Sequence, residues 1–130
     1  MTEEMENTPF SFKGYRFEDL DVWKLGMKIV GHAYRITKKF PKEEQFALSD
    51  QLKRTSTSIV LNVAEGSGQP TKKGFCVYVS RSKASVLECV SCCRIAIQEK
   101  FIEPHDTRQL EELLKEEYFK LIALHKFLNR

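Results

Sequence analysis

Between residues 19 and 39 the apolar side chains fall in two parallel series. Leu20, Trp23, Met27, Val30, Tyr34 and Thr37 advance by alternating steps of three and four, and Val22, Leu25, Ile29, Ala33 and Ile36 run beside them. This spacing predicts a helix from about Asp19 to Lys39, with an apolar face wide enough for two neighbours. Gly26 and Gly31 lower its intrinsic propensity and offer sites of close helix contact. Phe40-Pro41 ends it, because the residue before proline avoids the helical region. A second helix follows. It starts either near Glu43 or, as we favour, after a short turn from Lys42 to Phe46 with Ser49 as its cap. Leu48, Leu52, Ile59 and Val63 form its apolar face, and the Gly66–Pro70 stretch supplies a left-handed cap and a stop.

A third helix is predicted from a Thr71 cap to about Ile97, with Phe75, Val79, Ser82, Val86, Cys89, Cys93 and Ala96 at heptad-like spacing. The fourth opens on Glu103-Pro104-His105-Asp106, where proline suits the first turn and acids complement the helix dipole. Leu110, Leu113, Leu114, Tyr118, Leu121, Ile122, Leu124 and Leu128 carry it to Asn129. No strand is expected. Short connections place successive helices antiparallel, so the pattern predicts an all-α, up-down-up-down four-helix bundle. Residues 1–16 are expected to be a flexible leader, with Phe10, Phe12 and Tyr15 docking late, and 17–130 a single domain.

The second helix carries an awkward feature. Gln51, Arg54, Ser58, Asn62 and Glu65 recur every three or four residues and form one polar stripe. Part of that stripe must lie beside the apolar face, where each unsatisfied polar group costs about 1–3 kcal/mol. Such a stripe points to specificity, assembly or binding. Glu65 and Glu88 sit on consecutive helices. They are either a facing carboxylate pair of the kind that works as acid and base, or structural acceptors for Ser85, Asn62 or Arg54 that set helix register.

Composition narrows the classes. The 130-residue chain carries a formal charge of +3, a mild basic excess. It has no run of eighteen apolar residues and no apolar signal core at its acidic N-terminus, so a cytoplasmic location away from membranes is expected. Phosphate-loop, GxGxxG, HExxH and GxSxG signatures are absent. A di-iron centre needs a glutamate three residues before a histidine, and Ile29, Ile102 and Ile122 stand there before His32, His105 and His125. Cys76, Cys89, Cys92 and Cys93 are expected as reduced, buried packing residues rather than a soft-metal site. No catalytic residue, cofactor, metal or small-molecule substrate is therefore expected. Lys53, Arg54, Lys72, Lys73, Arg81, Lys83 and Arg94 crowd the second and third helices, and on the third Glu88 is the main opposing acid before Glu99. Such a surface is suited either to phosphate contact or to ordinary solvation.

The ordered blocks FEDLDVW, FPKEEQFAL, QLKRTSTSIVLNVAEGSG and ASVLE resemble the four-helix-bundle family associated with intervening sequences in bacterial 23S ribosomal RNA. The resemblance rests on Phe17, Leu20, Val22 and Trp23; on Pro41 and Glu44; on Lys53, Arg54, Ser58, Ile59, Asn62, Ala64, Glu65 and Gly66; and on Ala84, Ser85 and Glu88. Lys53 replaces the first arginine of a pair, Ala84 a usual glycine, and Val60 a frequent proline. The resemblance implies a left-handed bundle, a ring-shaped homopentamer and no enzymatic activity. It extends to accessory proteins of diversity-generating retroelements, which bind nucleic acid and a reverse transcriptase. The expected role is a non-enzymatic homo-oligomer that contacts structured RNA or a nucleoprotein through the seven basic residues. Gln51, Ser58, Asn62, Glu65, Gly66, Ser85 and Glu88 would hold the framework or a subunit boundary. The alternative is a protein-interaction scaffold with no nucleic-acid contact.

Overall fold

The structure, a computed structural model, describes residues 10–11 and 14–130, with side chains from 17 onward. Four helices dominate it: α1 (Asp21–Thr37), α2 (Leu48–Ser67), α3 (Lys72–Gln98) and α4 (Pro104–Leu128). Ahead of them lies a two-residue ladder, β1 (Phe10–Ser11) against β2 (Gly14–Tyr15), paired antiparallel. So short a ladder leaves no periodicity to read, which is why no strand was expected. The expected mobility of the leader and the docking of Phe10, Phe12 and Tyr15 lie outside the described residues.

The helices pack in four seams, α1–α2, α2–α3, α3–α4 and α1–α4. Cross-helix pairs give their directions. Position 58 meets 85 and 65 meets 78 across α2–α3. Position 94 meets 111 and 76 meets 129 across α3–α4. Lys53 lies over the Tyr34 ring across α1–α2, and Lys39 pairs with Asp106 across α1–α4. The adjacent helices are antiparallel, the up-down order expected of short connections.

The core is the predicted set of stripes with one choice made between them. On α1 the series Val22, Leu25, Ile29, Ala33 and Ile36 is buried, whereas Met27 and Tyr34 of the other series are exposed. Leu52, Ile59 and Val63 of α2, Val79 and Val86 of α3, and Leu110, Leu114 and Leu121 of α4 complete the centre. Burying each such side chain contributes about 1.5–3 kcal/mol. The FEDLDVW block folds as a 3-10 turn, Arg16–Asp19, that runs into α1 and stacks Phe17 on Trp23 with ring centroids 5.4 Å apart.

Helix ends depart from expectation in two places. Ser49 does not cap α2; it is buried inside the first turn, and the cap position is Ala47. The preceding turn does the work instead, since Glu44 Oε1 accepts the Leu48 N–H at 3.3 Å. Nor is there a left-handed cap after α2: Gly68 is the cap residue and has φ −88. Among the described residues the one non-glycine residue with a left-handed backbone is Lys100, with φ 62, just past α3. Its N–H reaches Ile97 O at 3.0 Å and the next N–H, of Phe101, reaches Ala96 O at 2.9 Å, the paired bonds of a Schellman ending. The starts of α3 and α4 follow the sequence. Thr71 Oγ1 accepts from Gly74 N at 2.9 Å, and Asp106 Oδ2 accepts from Glu103 N at 2.8 Å.

Candidate interaction surface along α2 and α3

The polar stripe of α2 lies along the outer edge of the α2–α3 seam. Ser58 and Asn62 are half-buried, while Gln51, Arg54 and Glu65 are exposed. Asn62 Nδ2 donates to Ser58 O at 2.8 Å and to Ser58 Oγ at 2.9 Å. A carbonyl only accepts, so the amide nitrogen must face it and the orientation of Asn62 is determined. Ser58 Oγ and Ser85 Oγ lie 2.8 Å apart, and Ser85 Oγ donates to Arg81 O at 3.2 Å. Ser85 has one proton, so both of its bonds form only when Ser58 is the donor between the serines. The result is a directional relay from Asn62 through Ser58 and Ser85 to the α3 backbone. Each bond contributes about 0.5–1.5 kcal/mol, and together they register α2 against α3. Deeper in the same seam, Ser82 Oγ donates to Ile59 O at 2.9 Å and Cys89 Sγ to Thr55 Oγ1 at 3.2 Å.

Gly66 decides how close the two helices come. A methyl group there would lie 2.7 Å from Tyr78 Cβ and 2.9 Å from Phe75 Cδ1. With no side chain in the way, Tyr78 reaches over and its hydroxyl donates to Glu65 Oε1 at 3.4 Å. The guanidinium of Arg81 then lies 4.7 Å over the Tyr78 ring. Sequence reasoning missed this Tyr78–Arg81 stack, although their spacing of three residues on a helix is its signal.

The acceptor roles expected of the two glutamates are corrected. Asn62 and Ser85 bond to serine and backbone, and Arg54 pairs with Asp50 at 3.0 Å. Glu65 and Glu88 do not face each other. Antiparallel register sets Glu65 opposite Tyr78, ten residues from Glu88, or about 15 Å along the helix axis. An acid–base pair is not assembled. Ala84, which stands where glycine is usual, is exposed.

The seven basic residues separate into groups. Arg54 and Arg81 border the outer seam, and Lys73 is exposed at the start of α3. Lys72, Lys83 and Arg94 recur every eleven residues, three helical turns, and so share one side of α3. That side is toward α4: Lys72 lies 5.9 Å over the Phe127 ring and Arg94 pairs with Glu111. Lys53 turns the other way, to the Tyr34 ring of α1 at 5.3 Å. Among the described residues, Arg54 and Arg94 alone of the seven lie within 4.0 Å of a carboxylate.

Beside that surface, α3 and α4 leave an apolar groove of about 590 Å³ lined by Val86, Leu87, Val90, Leu114, Tyr118 and Phe119, with Arg94, Arg108, Lys115, Glu111 and Glu112 as its charged residues. Leu87 is 53% exposed and Phe119 59% exposed. The four cysteines are free and buried. Burial pushes the Cys89 and Cys93 thiols up to about 12. His32 is lowered by burial and then by nearby Arg35, and His125 Nδ1 lies 3.2 Å from Asn129 Nδ2. Among the described residues no cluster of three His, Cys, Asp or Glu side chains is placed to hold a metal, and no helix is long and apolar enough to cross a membrane. Glu117 is a further residue sequence reasoning missed. It is fully buried, although EELLKEEYFK reads as a solvated charge pattern. The signal was its place between Leu114 and Leu121 in the buried series Leu110, Leu114, Leu121, Leu128.

Comparisons with known proteins agree with this architecture. A family model described as 23S rRNA-intervening sequence protein matches residues 18–123. A crystal structure of a protein of unknown function from the S23 ribosomal protein family of Bacteroides thetaiotaomicron superimposes with a TM-score of 0.74. It is 18% identical, and the match covers 81% of this chain and 98% of that one. Among curated proteins, none matches.

Proposed function

This chain belongs to the 23S rRNA-intervening sequence protein family, and from that premise we propose that it is a non-enzymatic, cytoplasmic bundle that assembles with copies of itself and binds structured RNA or a nucleoprotein along α2 and α3. The observation that carries this reading is the set of five cations, Lys53, Lys72, Lys73, Arg81 and Lys83, with no carboxylate within 4.0 Å among the described residues. Cations without acidic partners are available to phosphate oxygens, and binding by them is driven by counterion release. The planar Arg81 guanidinium, held over Tyr78, is preorganised for this contact. Assembly is supported by exposed apolar side chains such as Leu61, Leu87 and Phe119, which a subunit contact would cover. The homopentamer implied by the sequence resemblance is the assembly we expect.

The test is filter binding of a structured RNA at rising salt, with the particle mass measured by light scattering. Affinity should fall steeply with salt, and Arg81→Glu with Lys83→Glu should weaken it while leaving the mass unchanged. No binding at low salt, or binding indifferent to salt, refutes phosphate contact. The α3–α4 groove favours a second reading, a protein-interaction scaffold without nucleic-acid contact. That reading predicts a specific protein partner whose capture is untouched by the two charge reversals.

A further inference from the structure

Glu117 is the one ionisable carboxyl among the described residues that the bundle encloses completely. Neither of its oxygens has a hydrogen-bond partner. It lies against Gly26, where a methyl group would come within 3.1 Å of Glu117 Oε2 and 2.6 Å of Val60 Cγ1. The carboxyl therefore fills the slot that the missing side chain of Gly26 leaves where α1, α2 and α4 meet. Among the described residues no cation lies within 4.0 Å of its carboxylate. The charged groups whose fields reach it are Lys120 and Glu116, both on α4 and of opposite sign. The slot at Gly26 is also lined by Ile59 and Val60 of α2, and none of these three residues titrates. An ionised carboxylate so enclosed is far costlier than the neutral acid.

The α1–α4 seam is also the one seam whose helices are not consecutive in the chain. Short connections hold the other three. This one is held by packing and by the Lys39–Asp106 ion pair at 2.8 Å near one end.

We propose that Glu117 is a proton-controlled latch on this seam: the closed bundle is built around its neutral carboxyl, and loss of the proton frees α4 from α1. Opening exposes apolar core while leaving the α2–α3 relay intact, so it is separable from RNA binding. Burial pushes this carboxyl from an ordinary 4.5 up to about 8. Between those values the closed state holds a proton that the open state lacks. Stability of the seam is therefore full below the lower value, falls as pH rises, and levels off above the higher one.

Hydrogen exchange followed by mass spectrometry on the full chain, from pH 5.5 to 9 and corrected for intrinsic exchange chemistry, reads this directly. Opening of α1 and α4 segments should rise about tenfold per pH unit up to about pH 8 and then flatten. Glu117→Gln and Glu117→Met, neutral at every pH, should abolish that slope. A flat wild-type profile overturns the latch, as does a slope that survives in either folded variant. An equal slope in α2 and α3 segments also overturns it, because it reports unfolding of the whole molecule. Should neither variant fold, the wild-type profile decides alone.

Discussion

Alanine at Gly66 is expected to destabilise the bundle, whereas alanine at Gly31 is expected to stabilise it. Both glycines lie inside helices and neither has a left-handed backbone. Helix propensity alone favours alanine at each site by up to about 1 kcal/mol, less near the end of α2. At Gly31 the new methyl group meets only the guanidinium of Arg35, 3.3 Å away at the end of a flexible side chain. That group swings aside, and a gain of about 0.5–1 kcal/mol remains. At Gly66 the nearest atom is Tyr78 Cβ at 2.7 Å, with Phe75 Cδ1 at 2.9 Å. Carbon atoms settle about 3.5–4.0 Å apart, so the overlap approaches 1 Å with an atom bonded directly to the α3 backbone. Relief requires α2 and α3 to separate, an overpacking cost of about 1–3 kcal/mol. The net loss should be about 1–2 kcal/mol, and the two variants should differ by about 2 kcal/mol. Urea unfolding followed by circular dichroism, at one protein concentration because assembly adds to apparent stability, measures the difference. If Gly66→Ala raises the midpoint as much as Gly31→Ala does, the close approach of α2 and α3 is not set by the glycine.

Three further outcomes are expected. Lys100→Gly should stabilise the protein by about 0.5–1 kcal/mol in the same assay, because Lys100 holds a left-handed conformation that glycine adopts freely. Thr71→Ala should cost about 1 kcal/mol, since it leaves the Gly74 N–H without its cap acceptor. Cys89 and Cys93, raised by burial from 9.0 to about 12, should react with iodoacetamide at pH 8 about a thousandfold more slowly than free thiols. The sign for stability is that of an acid held neutral by the fold: these thiols leave it unaffected below pH 9 and weaken it as pH climbs toward 12. Rapid native-state alkylation at both positions would overturn their burial.

Periodicity carried the fold because a helix that buries one face must repeat that face every three or four residues. α3 shows this in Val79, Ser82, Val86, Cys89, Cys93 and Ala96, all buried at the predicted spacing. Where two stripes competed on α1, as with Met27 against Ile29, spacing could not choose, since only the positions of α2 and α4 decide which face looks inward. Caps failed where the acceptor came from another turn: the Leu48 N–H is satisfied by Glu44, four residues back, which made a local cap by Ser49 unnecessary. The polar stripe was legible as a stripe, but its bonding was not. Ser58 pairs with Ser85 because antiparallel register brings positions 27 residues apart together, and no local pattern encodes that. Glu117 was hidden because its charge outweighed its spacing in the reading of α4. The basic residues were found by composition, but their division among the α1, α4 and outer sides of the bundle follows from helical angle.

The seam between the first and last helices has a topological consequence. Lys39 beside Asp106 and Gly26 beside Glu117 bring the start of α1 and the finish of α4 to the same pole of the molecule. The fold is thus a broken ring, and the weakest join falls wherever the backbone is interrupted. Circular permutation, with a bridge from Leu128 to Asp21 and new ends opened between Gly68 and Thr71, would hand that weakness to the pair α2 and α3.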